Sequence, residues 1–196
     1  MKVKIEKLNV SYDNLLDVFI ESLHKDPMKP FVEGMSERWE LSKQTQSRLD
    51  EILNILIPKI SENYYDGGDL QIIDTKLLRH LKGASDCGGA FDWHADNHPP
   101  QIINIIVYLS DVDEDGGGME YCKLDGEILV RPYTHPPGGH VMESEVHNLN
   151  QNPSFEIEKM IGEVGTTFVF DNCILHRATS VDSNDRDALL LQVKPK

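Results

Sequence analysis

The stretch Gly88–Gly117, GGAFDWHADNHPPQIINIIVYLSDVDEDGG, decides how this chain is read. His94, Asp96 and His98 stand at alternate positions just ahead of the apolar run INIIVYLS, residues 103–110. In extended backbone, residues i and i+2 project to the same side, so HAD aims an imidazole and a carboxylate at one point. Two ligands make a poor metal site, and the segment GTTFVFDNCILHRATS supplies a third in His176, beside another strand-like run. Two imidazoles and one carboxylate on one face of a metal leave positions open, a set suited to non-haem Fe(II). Ten positions after His176 comes Arg186, at the head of RDALLLQVK. A guanidinium entering a pocket there can clamp a carboxylate with two parallel hydrogen bonds.

Outward from this stretch the texture is β-rich. LQIIDTKLL, INIIVYLS, GMEYC, EILVRPY, GTTFVFDN and DALLLQVK are short runs separated by Gly, Asp, Asn and Pro, the pattern of a sandwich or barrel. Upstream, SYDNLLDVFIESLHK carries Tyr12, Leu15, Leu16, Phe19, Ile20 and Leu23 on one helical face, with Ser11 as N-cap. LSKQTQSRLDEILNILIP is a second helix that Pro58 brings to its end, and KDPMKPFVEGMSER between the two reads as a loop. The expectation is one α+β domain over 1–196, mainly helical over 1–67, with an antiparallel β core over 68–196.

The chain has 196 residues and a net charge of −14. That sign excludes a nucleic-acid partner, because phosphate contacts need Lys and Arg clusters. MKVKIEKLNV has no apolar signal core and no run approaches a membrane span, so the expected location is cytoplasmic, without membrane association. Cys87, Cys122 and Cys173 lie far apart with no CxxC and read as reduced, buried thiols.

The segment from about 70 to 196 resembles the Fe(II)- and 2-oxoglutarate-dependent dioxygenases, particularly their phytanoyl-CoA hydroxylase and prolyl hydroxylase branches. VYLSDVDEDGGGMEYC is similar to their strand, acidic turn, double glycine and following strand. GTTFVFDNCILHRAT with RDALLLQVKP resembles their closing strands. The resemblance implies a double-stranded β-helix (a jelly-roll, cupin-like core) with packing N-terminal helices. It implies His94, Asp96 and His176 as iron ligands and Arg186 on the distal carboxylate of 2-oxoglutarate. The implied chemistry consumes 2-oxoglutarate and O2, with ascorbate in support, releases succinate and CO2, and hydroxylates a C–H bond. In RHLKG, His80 stands where prolyl hydroxylase relatives often carry a Tyr that touches 2-oxoglutarate, so His80 joins the cosubstrate set. Lys123–Ile161 matches no motif of the family. Desaturation or ring closure uses the same cofactors, and a non-catalytic cupin-like binding module is the alternative from another class.

Several other residues invite a reading. Asn104, the polar residue within IINIIVYL, is either a satisfied core amide or a pocket residue that contacts the cosubstrate. His98 precedes two prolines and reads as a surface or supporting residue. DVDEDGG imitates a calcium loop, but Cys122 occupies the position of the required bidentate Glu. His135, His140 and His147 lack zinc spacing and read as loop or rim residues, and His24 as a helix C-terminal charge partner. Between Asp111 and Glu158 eleven acids face two bases, Lys123 and Arg131. A rim of that sign near the barrel mouth favours a neutral or cationic small molecule, free amino acid or peptide over a coenzyme A thioester.

Overall fold

In the computed structural model, residues 5–84, 89–134 and 140–196 are described. Cys87 and His135 lie outside these residues. Among the described residues, thirteen strands and three α-helices follow in chain order: β1 (Ile5–Leu8), α1 (Leu15–Leu23), β2 (Met28–Val32), β3 (Ser36–Trp39), α2 (Lys43–Tyr64), β4 (Leu70–His80), β5 (His94–Ala95), β6 (Ile103–Tyr108), β7 (Met119–Leu124), β8 (Glu127–Ile128), β9 (His140–Val141), α3 (Glu143–Leu149), β10 (Phe155–Met160), β11 (Thr167–Asp171), β12 (His176–Ala178) and β13 (Arg186–Pro195).

All strand pairings are antiparallel. The larger sheet has seven strands in the order β1-β11-β6-β13-β4-β3-β2, and the smaller runs β10-β7-β12-β5-β9 with β8 on β7. From β4 to β7, and again from β10 to β13, the chain alternates between the two sheets. The centre of the larger sheet, β6 and β11, is buried on both faces, which is why β6 reads as a continuous apolar run. Ile103, Ile105 and Val107 meet Leu189, Leu191 and Val193 of β13 and the helix residues Phe19, Ile52, Leu56 and Ile60 in one core. From the opposite face, Ile106, Tyr108, Phe168 and Phe170 pack with Met119 and Met160 of the smaller sheet. No helix among the described residues is long and apolar enough to cross a membrane.

Local expectations shift at several points. Ser11 does not cap α1: its hydroxyl donates to Asp13, and the helix starts after Asn14. Tyr12 is buried with its hydroxyl 2.9 Å from Thr167 Oγ1, so the chain turns at Asp13, at φ 47°, before it can coil. Helix α2 passes through Pro58 to Tyr64, because Ile60, buried in the helix-side core, holds the last turn down. The expected loop before α2 is the hairpin β2–β3, which extends the larger sheet through Ser36↔His80. Every residue of β2 is exposed, and Pro30 is tolerated at a sheet edge, so no burial pattern announced it. Residues 5–67 therefore hold three strands as well as two helices. The run 127–133 contributes only β8 and a Val130↔Ile174 bridge. His140 lies in β9 and His147 is exposed on α3, so neither occupies a plain loop.

Candidate metal centre

Two short strands bring the ligand types together. β5 is two residues long, and its alternation buries Trp93 and Ala95 while His94 and Asp96 turn the other way. The backbone N–H of Asp96 donates to Asn172 O at 3.0 Å, fixing the chain just past the strand. β12 pairs with β5 so that His176 is directly opposite His94, and the ring centroids stand 4.4 Å apart. Asp96 completes the group, with Oδ1 3.6 Å from His94 Nε2 and Oδ2 4.0 Å from His176 Nε2. One ligand atom from each residue falls within 4.8 Å of the others.

The ring nitrogens are pre-sorted. His94 Nδ1 lies 2.7 Å from the Asp92 carbonyl and His176 Nδ1 2.8 Å from the Ile174 carbonyl. A carbonyl only accepts, so each Nδ1 carries the proton and each Nε2 presents a lone pair to the centre. Burial pushes the pKa of His176 below 6.5, against the opposing pull of Asp96. That keeps its ring neutral, as a ligand must be.

Asp96 is held from the far side. Asn104 Nδ2 donates to Asp96 Oδ2 at 2.7 Å, and Gln192 Nε2 donates to Asn104 Oδ1 at 2.9 Å. The string exists because Gln192 and Asn104 are cross-strand partners on β13 and β6. Asn104 is thus a pocket residue that orients a carboxylate. Asn172, fully buried, accepts from the His98 N–H and donates to the Ile102 carbonyl at 2.6 Å, closing the loop after the HAD segment. The sequence reading passed over Asn172 and Gln192. Gln192 is a polar residue within an apolar strand, the same signal that marked Asn104, whereas Asn172 follows Asp171 just past the end of β11.

A cavity of about 420 Å³ is lined by the six residues that the sequence assigns to the metal and cosubstrate: His80, His94, Asp96, Asn104, His176 and Arg186. Phe31, Met35, Leu78, Phe91, Ile106, Tyr108 and Leu190 give it apolar walls. Arg186 is 6% exposed and is paired across the ladder with His80. Its next neighbour, Asp187, points to the other face and takes both bonds of Arg79 at 2.7 Å, with His24 Nε2 2.9 Å away. Arg186 has no carboxylate partner among the described residues, and its Nε, like His80 Nδ1, is buried without a hydrogen bond. Burial lowers the Arg186 pKa below its usual value. Burial, then the Arg186 charge, holds His80 well below 6.5 and therefore neutral.

Other expectations fall elsewhere. His98 does not line the cavity, and neither does any of the eleven acids between Asp111 and Glu158; among the described residues the lining carboxylates are Asp74 and Asp96. Glu120 pairs with Arg177, and Glu158 with Lys123 and Tyr121. In the acidic turn Asp111 and Asp113 accept backbone N–H groups, and among the described residues the one metal-type cluster is His94, Asp96 and His176. Cys122 and Cys173 are buried free thiols, with pKa values pushed by burial to about 12 and about 11.

No protein-family model matches the chain. Among curated proteins, the L-proline trans-4-hydroxylase of Streptomyces griseoviridis is 23% identical over 148 residues, covering 64% of this chain and 54% of that enzyme. The chain thus spans about half the length of the relative it matches. Among solved structures, HygX from Streptomyces hygroscopicus with nickel, 2-oxoglutarate and hygromycin B bound aligns over 99% of this chain and 84% of its own, with TM-score 0.66 and 13% identity. The epimerase SnoN, in complex with Fe3+, alpha-ketoglutarate and nogalamycin RO, aligns over 98% and 79%, with TM-score 0.68 and 13% identity. The chain has the fold of the Fe(II)- and 2-oxoglutarate-dependent oxygenases.

Proposed function

We propose that this protein is an Fe(II)- and 2-oxoglutarate-dependent oxygenase on a double-stranded β-helix. In this reading it hydroxylates an unactivated C–H bond of a small molecule or amino-acid side chain and releases succinate and CO2. The observation that carries the reading is Arg186. A buried guanidinium with no carboxylate partner among the described residues is costly unless an anion joins it, and this one shares its cavity with the His94–Asp96–His176 group. A keto acid fits both features, because its distal carboxylate needs a cation and its other end a metal.

The donor set fits Fe(II): two neutral imidazoles and one carboxylate on one side, with positions left open. His94, Asp96 and His176 would hold the metal, and Asn104 would keep Asp96 from turning away. Arg186 would donate two parallel hydrogen bonds to the distal carboxylate of 2-oxoglutarate, and neutral His80 offers one further N–H donor beside it. With these groups bound, iron, 2-oxoglutarate and O2 supply an oxidative decarboxylation coupled to C–H oxidation, with ascorbate in a supporting role. Phe91, Ile106 and Leu190 give the cavity apolar surface, which strengthens the charge interactions beside it. Tyr108 walls the cavity while its hydroxyl donates to the Met160 carbonyl, and its pKa is raised by burial. It therefore stays protonated near neutral pH.

The test is the visible charge-transfer band of anaerobic protein mixed with Fe(II) and 2-oxoglutarate, which reports bidentate chelation of a keto acid. His94→Ala, Asp96→Ala and His176→Ala are each expected to lose the band and tight iron binding while keeping the fold. His98→Ala should keep both. A folded wild-type protein that gives no band refutes the reading and favours a binding module on the same fold.

A further inference from the structure

Strand β4 carries a bulge that decides what the cavity displays at one end. Leu70 and Ile72 pack against the helix-side core, as does Leu77. These positions do not share one alternation, and the ladder with β13 explains why: Gln192 pairs with Asp74 but Val193 with Ile72, leaving Ile73 extra. A bulge of this kind re-aims side chains. Unbroken alternation from Ile72 would send Asp74 and Lys76 into the helix-side core. With Ile73 inserted, both line the cavity, together with Leu78 and His80. β13 needs no such device, since Leu189, Leu191 and Val193 all reach the helix-side core.

Asp74 and Lys76 form a cation–anion pair, Oδ2 to Nζ 2.8 Å, with side chains 39% and 36% exposed. A pair this wet adds little to stability, so folding gives no strong reason for a bulge that presents it. The position is informative. Asp74, Gln192 and Asn104 are neighbours on three adjacent strands, and Asn104 holds Asp96. Two strand spacings, roughly 10 Å, therefore separate Asp74 from the residue that anchors the carboxylate of the metal-type group. Arg186 lies six residues along β13 from Gln192, on the order of 20 Å. A keto acid clamped at Arg186 leaves the pair free for a second molecule.

We propose that Asp74 and Lys76 are the head-group site for the molecule to be oxidised, and that this molecule is a small zwitterion with neighbouring ammonium and carboxylate groups, the chemistry of a free α-amino acid. The inference rests on the oxygenase reading for its reactive centre. A ligand of one sign would satisfy one member of the pair and face repulsion from the other. A zwitterion exchanges one internal contact for two charge-assisted ones, its ammonium on Asp74 and its carboxylate on Lys76. Its side chain then extends along the apolar wall toward the His94–Asp96–His176 group.

The experiment is ligand-observed NMR on the full chain with the twenty L-amino acids, their N-acetyl derivatives and their amides, with and without Fe(II) and 2-oxoglutarate under argon. Free amino acids are expected to bind, and blocking either end should weaken binding by about tenfold or more. Asp74→Asn should abolish the preference for a free amine, and Lys76→Gln the preference for a free carboxylate. Both variants should keep the wild-type charge-transfer band and 2-oxoglutarate affinity. Equal binding of blocked and free forms, unchanged preferences in both variants, or no binding by any member of the panel overturns the proposal. Absence of the band in wild type is scored separately: it refutes the oxygenase reading, while the NMR result still decides the head-group site.

Discussion

Replacing Arg186 with Met separates the two roles that a buried cation can have. Arg186 is 6% exposed, and its Nε lacks a hydrogen bond. If it waits for a ligand, the ligand-free protein carries its desolvation as a cost. Met fills a similar volume without the charge, so the apo protein should gain about 1–3 kcal/mol, the usual penalty of a buried unsatisfied polar group. For a chain of this size, each kcal/mol moves Tm by about 2–4 °C. In the wild type loaded with iron, 2-oxoglutarate at one hundred times its Kd should add about 2.7 kcal/mol, hence roughly 5–10 °C. Losing a buried, bidentate charge pair costs about 2–5 kcal/mol, or some 30- to 5,000-fold in Kd. At the same ligand concentration the remaining shift is about 2–3 °C at the weak end of that range and nothing at the strong end. Thermal unfolding with and without 2-oxoglutarate therefore gives two changes of opposite sign, a higher apo Tm and a lost ligand shift. An undiminished shift would show that the carboxylate is held elsewhere. A large fall in apo Tm would show that Arg186 is a structural group.

Asn104→Ala should weaken iron binding about 10- to 100-fold, the usual effect of losing a residue that orients a metal ligand; titration with Fe(II) under argon checks it, and unchanged affinity refutes the positioning role. The other expectation concerns pH. His80 is held neutral in the folded apo protein, with its pKa well below 6.5, while the unfolded chain takes up a proton near 6.5. The unfolded state then binds more protons, so stability is lost as pH falls below about 6.5, by at most about 1.4 kcal/mol per unit from this residue. His80→Phe should flatten the pH dependence of urea unfolding between pH 7 and pH 5 by that amount, and an identical slope in the variant would contradict the assignment.

The cavity was legible in the sequence where chemistry is written in residue types, and less so where it depends on register. HAD could be read because period-two geometry needs only neighbouring residues. The pairing of His176 with His94 could not, because a cross-strand register is set by the whole sheet; the site followed from residue types plus resemblance. Asn104 stood out as the polar residue in a run buried on both faces, and its partner Gln192 carries the same signal one strand away. The β2–β3 hairpin was hidden for a physical reason: a fully exposed strand has no burial to imprint on its sequence.

The bulge in β4 shows most clearly what a local pattern cannot hold. Leu70, Ile72, Asp74, Lys76 and Leu78 are evenly spaced in LQIIDTKLL, and period-two reading puts them all on one face. The structure divides them at Ile73, Leu70 and Ile72 going to the helices and the rest to the cavity. Two charges in a half-apolar strand are what that reading cannot place on a buried face, and this was the available clue. A strand that keeps alternating across a charged pair must expose it, expel it or break step. Here it breaks step, and the charges face the cavity that also holds His94, Asp96 and His176. The argument for a zwitterionic substrate therefore does not depend on the acid-rich stretch between Asp111 and Glu158, none of which lines the cavity. Net charge describes the whole surface, whereas recognition depends on the few side chains that the register turns inward.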